Sequence, residues 1–292
     1  MAIEDCELRI EDCGLGIESS EVRASIRNPQ SEIRNVGQAR AGYTARELMV
    51  AAAARGIRDG EVAFVGMRLP MLAFALAKST HAPRAVGLFE NGIVRNAPSA
   101  ELLYTMGDPP NVAGAAWCGR MTAVMALMQQ GCVDVGFIGG AEVDKHGNLN
   151  TSYVGDWRRP SVKLPGSGGG ADIACLAKRL LIIMPHEKRR FTERVDYITS
   201  PGYGTGADWR AREGIGRGGP TALISSMGVF RFEPPLHEAR LASYHPGTTP
   251  DQVRAETGWD LQISPEVHET PAPSAEELAI IRRYDPQGFW TG

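Results

Sequence analysis

Long apolar runs are missing from this sequence. No stretch approaches the roughly 18 residues that a membrane-spanning helix needs, and the N-terminus has no apolar segment like a secretory leader. Cysteine is scarce. The five present are Cys6, Cys13, Cys118, Cys132 and Cys175, and none are spaced as CxxC. That argues against a zinc ribbon and for a reducing, cytoplasmic location. A surplus of charge is missing too: the formal net charge is -3, without the basic excess of a nucleic-acid binder. What is present, 43% hydrophobic and 22% charged residues over 292 positions, is ordinary globular composition, enough for one large domain or two small ones.

Residues 1–42 differ from the rest. Ile3-Glu4-Asp5-Cys6 returns seven residues later as Ile10-Glu11-Asp12-Cys13, and Ile26-Arg27-Asn28 returns as Ile33-Arg34-Asn35. The apolar spacing within the repeat gives no helical stripe, so this segment is read as a low-complexity, poorly ordered tail. Organised sequence begins near Tyr43 and is read as one domain to residue 292.

Thr44-Ala45-Arg46-Glu47 is a capping box that opens an alanine-rich helix, stopped by Gly56. A strand is expected from Glu61 to Gly66. A helix follows with Pro70 in its first turn and Leu69, Leu72, Ala73 and Leu76 on one face. A second buried strand runs from Arg84 to Phe89. This β-α-β order is the unit of a parallel sheet. Residues 93–117, rich in Gly, Pro and Asn, read as a long functional loop. Further on come a helix marked by Met121, Val124, Met125 and Met128, and strands over Val133–Ile138 and Arg179–Met184. A hairpin is expected over 221–233, then a strand over 239–244. Helices follow at Thr249-Pro250 and after Ser274. The expected fold class is α/β, an open, mostly parallel sheet flanked by helices.

Two places carry chemistry. Glu90 follows the buried strand and precedes Asn91-Gly92, a turn signal resting on tolerance of positive φ. Ligands of open α/β sheets bind at the edge where strands end. A partly desolvated carboxylate there can attack a carbonyl or move a proton; the alternative is a salt bridge or cap. Gly166-Ser167-Gly168-Gly169-Gly170-Ala171 is the second place. Consecutive glycines can aim backbone N–H groups at a phosphate or an oxyanion, or can form a merely flexible loop. His186-Glu187-Lys188-Arg189-Arg190 lacks the second histidine of a zinc helix; its basic residues either contact a partner or phosphate, or stand solvated.

Three segments together resemble the class I CoA-transferases, in particular the beta subunit of the glutaconate enzymes. They are Phe89-Glu90-Asn91-Gly92; Gly139-Gly140-Ala141-Glu142-Val143-Asp144 with Gly147-Asn148-Leu149-Asn150; and Pro165–Ala171 followed by His186–Phe191 and Val195-Asp196-Tyr197. The resemblance runs from about Thr44 to Asp285. It implies a class I CoA-transferase-like domain with Glu90 as covalent nucleophile, passing through an acyl-glutamyl anhydride and then a glutamyl-CoA thioester. It implies oxyanion- or CoA-binding roles for Asn91, Gly92, Gly139, Gly140, Ala141, Gly168, Gly169 and Gly170. Coenzyme A thioester is then a substrate, and no metal or other cofactor is required. The family builds its site between two such domains, so an alpha subunit of similar fold is the expected partner, in an A2B2 assembly or a multiple of it. Asn91 stands where the glutaconate enzymes have Ser and the oxoacid transferases have Asn. Some members have lost the Glu and act as hydrolases, so the alternatives are a thioester hydrolase or C–C lyase, or a non-catalytic CoA-ester-binding or scaffold subunit.

Overall fold

The structure, a computed structural model, describes residues 42–292. The tail expectation falls on residues 1–41, outside this range. Gly42 is described, and its carbonyl accepts a 2.6 Å hydrogen bond from Arg282 Nη2.

Ten strands form the main sheet. Its centre is five parallel strands: β1 (Val62–Phe64), β2 (Val86–Leu88), β5 (Val135–Ile138), β10 (Arg179–Ile183) and β11 (Pro220–Ile224). They lie in the order β2-β1-β5-β10-β11. The direction of winding reverses between β1 and β5, so a topological switch point opens at the carboxyl ends of these two strands. Antiparallel strands extend both sides. β3 (Ile93–Arg95) and β4 (Trp117–Cys118) follow β2, while β12 (Gly228–Glu233) and β13 (Glu238–Tyr244) follow β11. The outer edge is β14 (Gln262–Glu269), parallel to β13. Two small ribbons stand apart: β6 (Glu142–Val143) with β7 (Leu149–Asn150), and β8 (Tyr153–Val154) with β9 (Val162–Lys163).

The central strands are buried on both faces, and successive residues of one strand serve opposite layers. In β10, Leu181 and Ile183 join the apolar cluster under helices α1 (Ala45–Ala54), α2 (Leu69–Ser79) and α8 (Ala275–Tyr284). Leu180 and Ile182 join the cluster under α4 (Met121–Gln129) and α5 (Gly170–Leu176). Two single-turn helices, α3 (Pro109–Val112) and α6 (Trp209–Arg212), sit within loops, and α7 (Pro250–Ala255) precedes β14.

The capping box at Thr44 forms as expected: the Thr44 hydroxyl accepts from Glu47 N–H, and the Glu47 carboxylate accepts from Thr44 N–H. Thr249 with Gln252 and Ser274 with Glu277 repeat it. Two expectations need correction. The segment 93–117 is not one loop, because it starts and ends in β3 and β4 and contains α3. And α2 is not amphipathic: residues 70–77 are all buried, because sheet and neighbouring helices enclose it.

The two edges of the parallel strands differ in chemistry. The amino-end edge carries ion pairs: Arg179 with Glu61, and Lys178 Nζ with Asp134 at 2.7 Å. Among the described residues no helix is long and apolar enough to cross a membrane.

Candidate active site

Glu90 sits two residues past the carboxyl end of β2, in the turn to β3. Gly92 N–H donates to Phe89 O at 2.9 Å and Phe89 N–H to Ile93 O at 2.8 Å. This closes a three-residue hairpin loop in which the residue after the turn takes the left-handed conformation. Gly92 takes it, with φ 103°. Asn91 does not have positive φ, so the turn depends on glycine alone and not on both residues. A Cβ at Gly92 would come 2.5 Å from the Gly119 carbonyl oxygen. The glycine therefore serves a close approach between the turn and β4.

The Glu90 carboxylate is half-buried, and its Oε1 accepts the Gly169 N–H at 3.1 Å. Met125 of α4 closes the same spot: a Cβ at Gly169 would meet Met125 Cε at 2.7 Å, Glu90 Oε1 at 3.1 Å and Glu90 Cδ at 3.3 Å. Glu90 makes none of the ion pairs among the described residues, so the salt-bridge alternative has no partner there. Its carboxylate has one backbone donor and is partly exposed.

The glycine stretch divides into parts. Gly166 N–H is anchored to Thr151 O at 2.8 Å, and Gly170 N–H closes a turn on Ser167 O at 2.8 Å. Gly168 turns the chain with φ 49°, and Gly169 then faces Glu90. Gly170, expected in an oxyanion- or CoA-binding role, has its N–H closed on that turn, and a Cβ there would meet Ser200 Oγ at 2.9 Å. Gly169 is the one seen donating to the carboxylate.

The Gly139–Ala141 segment follows β5 on the same edge, but its contacts are internal. A Cβ at Gly139 would meet Ile183 O at 2.8 Å, and one at Gly140 would meet Glu142 O at 2.9 Å. Ala141 N–H goes to Asn150 O at 2.8 Å. The polar residues nearby are also scaffold. Asn150 Nδ2 donates to Glu142 Oε2 at 2.7 Å. Asn148 Nδ2 donates to Asp144 Oδ2 at 2.9 Å, while Asn148 Oδ1 takes Gly202 and Gly204 N–H. Burial pushes the Asp144 carboxyl above the usual range against these bonds. The geometry gives Gly139, Gly140 and Ala141 close packing, and the N–H seen bonded to the Glu90 carboxylate is that of Gly169.

Two residues that sequence reasoning missed organise the turn's surroundings. Arg95, at the end of β3, is buried, and its guanidinium donates to the carbonyls of Ala97, Pro98, Pro110, Asn111 and Ala113. It gathers both arms of the 96–116 segment. Asn91 Nδ2 and Asn111 Nδ2 each donate to Met106 O at 2.7 Å, which ties that segment to the Glu90 turn. Asn91 thus has a bond to the protein itself. The only sequence signal for Arg95 was its place two residues from Ile93, on the buried parity of a strand.

His186 is held by the protein itself. It stacks on Phe191 with centroids 3.8 Å apart and bonds to Ser225 Oγ at 3.0 Å. Burial lowers its pKa to about 3. In the basic run after it, Glu187 pairs with both Arg189 at 2.6 Å and Arg190 at 3.2 Å.

A half-buried carboxylate facing a backbone donor, at the carboxyl edge of a parallel α/β sheet, has the parts of an enzyme that uses a carboxylate for acyl chemistry. Comparison with known proteins agrees: residues 46–256 match the coenzyme A transferase family, and the chain belongs to it. It is 38% identical over 241 residues to the beta subunit of 3-oxoadipate CoA-transferase from Pseudomonas knackmussii, covering 82% of this chain and 92% of that one. It is 34% identical over 246 residues to the beta subunit of glutaconate CoA-transferase from Acidaminococcus fermentans, covering 82% and 91%. The crystal structure of the glutaconate enzyme superposes with a TM-score of 0.81 at 31% identity, over 86% of this chain and 98% of that one. The decarboxylase AibA/AibB superposes with a TM-score of 0.73 at 29% identity, over 85% and 97%.

Proposed function

We propose that this chain is the catalytic beta subunit of an enzyme that moves coenzyme A between an acyl-CoA and a free carboxylic acid, with Glu90 as nucleophile. The observation that carries the reading is the Glu90 carboxylate, unpaired by any cation among the described residues and met by Gly169 N–H. In the first step a Glu90 oxygen attacks the thioester carbonyl; the C–S bond breaks and CoA leaves as thiolate. The product is an acyl-glutamyl anhydride. The thiolate then attacks the Glu90 carbonyl, giving a glutamyl-CoA thioester and releasing the first acid as carboxylate. An acceptor carboxylate runs the two steps in reverse. The chemistry needs shelter from water, which would hydrolyse both intermediates, and donors for successive oxyanions. Gly169, with Gly168 shaping the loop, is the donor nearest the reacting carbonyl; Gly92 and Asn91 fix the turn. The cycle needs no metal or redox group.

The family's site is completed by a second chain, and the surface here supports an alpha-subunit partner. Large apolar side chains stand exposed on the segments that carry the site. Trp117 of β4 and Met121 of α4, 44% and 51% exposed, stand in sequence on either side of Gly119, the close neighbour of Gly92. Trp157 and Val162, 53% and 48% exposed, lie on the hairpin leading into the glycine loop. Clusters of this kind mark interaction surfaces.

The decarboxylase relative keeps a second reading open, in which the same edge handles a CoA ester without transfer. Thioester exchange by the complex of this chain with its partner separates the two. Transfer requires an acceptor acid and is lost in Glu90→Gln, which keeps shape but not nucleophilicity; Glu90→Asp, one methylene shorter, falls by about 10²-fold. CoA release that is indifferent to acceptor, or a Gln variant as active as wild type without deamidation, contradicts the proposal.

A further inference from the structure

Met125 and Glu90 crowd the same point from two elements. A Cβ at Gly169 would meet Met125 Cε at 2.7 Å, Glu90 Oε1 at 3.1 Å and Glu90 Cδ at 3.3 Å. The methionine's methyl group and the Glu90 carboxylate therefore share one small space, beside the residue whose N–H donates to Glu90 Oε1. Ile138, at the end of β5, walls the next residue: a Cβ at Gly170 would meet its Cδ1 at 3.0 Å. Both side chains are half-buried, and both pack against the cluster under α4 and α5. On the sequence, Met121, Val124, Met125 and Met128 form one helical stripe, for which packing is the ordinary role. In the structure that stripe divides. Val124 and Met128 are buried, Met121 is exposed, and Met125 lies between them at the rim beside Glu90. An unbranched thioether fills an irregular gap well and offers water only a weak acceptor.

We propose that Met125 keeps water from the Glu90 carbonyl while that carbonyl is a thioester of coenzyme A, and so sets whether the intermediate is transferred or hydrolysed. The inference rests on the CoA-transfer reading above. In the losing reaction a water oxygen adds to the Glu90 carbonyl carbon and the C–S bond breaks. The sulfur leaves with one water proton as CoA thiol; Glu90 returns as a carboxylate and the second proton goes to solvent. Gly169 N–H would stabilise the oxyanion of this attack as well as that of an acceptor carboxylate. The donor therefore does not discriminate between the two, and exclusion of water must.

Three variants of the complex with its partner test it. Each complex is loaded with acyl-CoA, desalted to remove free substrate and released acid, and split in two. One half receives acceptor acid and the other only buffer; chromatography follows acyl-CoA formed in the first and free CoA released in the second. Met125→Leu keeps an apolar side chain of similar volume and should hold the thioester as wild type does. Met125→Gln has nearly the same length but hydrogen-bonds water, and Met125→Ala opens a gap. In both, the ratio of hydrolysis to transfer should rise by at least about 10-fold. A purely structural role would slow transfer and hydrolysis together and leave that ratio unchanged. If the Ala complex fails to assemble, the Gln and Leu pair, nearly matched in size, still decides. A Gln variant with the wild-type ratio, or a Leu variant that hydrolyses as fast as Gln, overturns the proposal. A wild-type complex that forms no thioester overturns the CoA-transfer reading and this inference with it; a wild-type thioester with unchanged ratios in the variants overturns this inference alone.

Discussion

Glu90 reaches the open edge because Gly169 leaves room for it. Any Cβ at residue 169 would lie 2.7 Å from Met125 Cε and 3.1 Å from Glu90 Oε1, so a side chain must displace the methionine or the Glu90 carboxylate. Gly169→Val should cut turnover by about 10²-fold, the scale of losing one oxyanion donor, while the complex still assembles. Steady-state exchange assays with gel filtration check both halves, and unchanged turnover would put the glycine loop outside the chemistry. At this scale the sequence announced what has local form. Asn91-Gly92 after an apolar strand marks a turn, and four glycines in five residues mark a backbone that approaches something. The role of Arg95 left no such mark. Its partners are five main-chain carbonyls, which every residue possesses, so only the folded chain reveals the cage. Likewise Gly139 and Gly140 stand out in sequence as a glycine pair, while the neighbours that crowd them, Ile183, Leu149 and Asn150, come from other elements.

Helices were legible from their ends. Thr44, Thr249 and Ser274 each sit three residues before a Glu or Gln that closes a capping box, a purely local arrangement. Strands were legible when long and apolar, as in Arg179–Ile183, and lost when short. β3 and β4 have three and two residues, too few for a periodicity. β14 was not foreseen: it carries Pro265, which edge strands tolerate because one side needs no ladder bonds, and its residues are mostly exposed. Between the ends of β10–β13 lies a buried polar network that bears on pH. His186 bonds Ser225 Oγ and Thr257 Oγ1; His245 bonds Ser225 O at 2.8 Å and Thr270 Oγ1 at 3.0 Å. Burial lowers the two pKa values to about 3 and about 4. Both rings stay neutral in the folded chain, whereas the unfolded chain protonates them near pH 6.5. The unfolded state therefore binds the extra protons, and stability falls as pH drops below about 6.5, by up to about 1.4 kcal/mol per pH unit per histidine until the folded values are reached. Urea midpoints should hold level above pH 7 and decline between pH 6.5 and 5, before most carboxylates titrate. A flat profile across that window would mean that these histidines titrate normally.

On the scale of the molecule, the parallel sheet separates stability from chemistry. Glu61, Asp134, Lys178 and Arg179 tie strands together at one edge, while Glu90 and the glycine loop occupy the other. The fold class was readable because alternating β-α-β segments have few right-handed solutions. A partner chain was not readable from periodicity. It is supported by the relatives, which are named as subunits B, and by apolar side chains left exposed on the segments around the site. Purified alone, the chain should show no thioester exchange, and adding the partner chain should restore it; full activity without the partner would contradict the two-chain reading.

The claim at the centre is that Glu90 becomes covalently bound to coenzyme A, and it can be tested on the peptide itself. The complex is incubated with acyl-CoA in the absence of acceptor, then treated with borohydride, which reduces a glutamyl thioester to the alcohol, or with hydroxylamine, which converts it to the hydroxamate. Mass spectrometry of the digest should find the corresponding mass change on the peptide containing Glu90, dependent on acyl-CoA and absent from Glu90→Gln. A label on another residue, or no label from a complex that is turning over, would contradict the account.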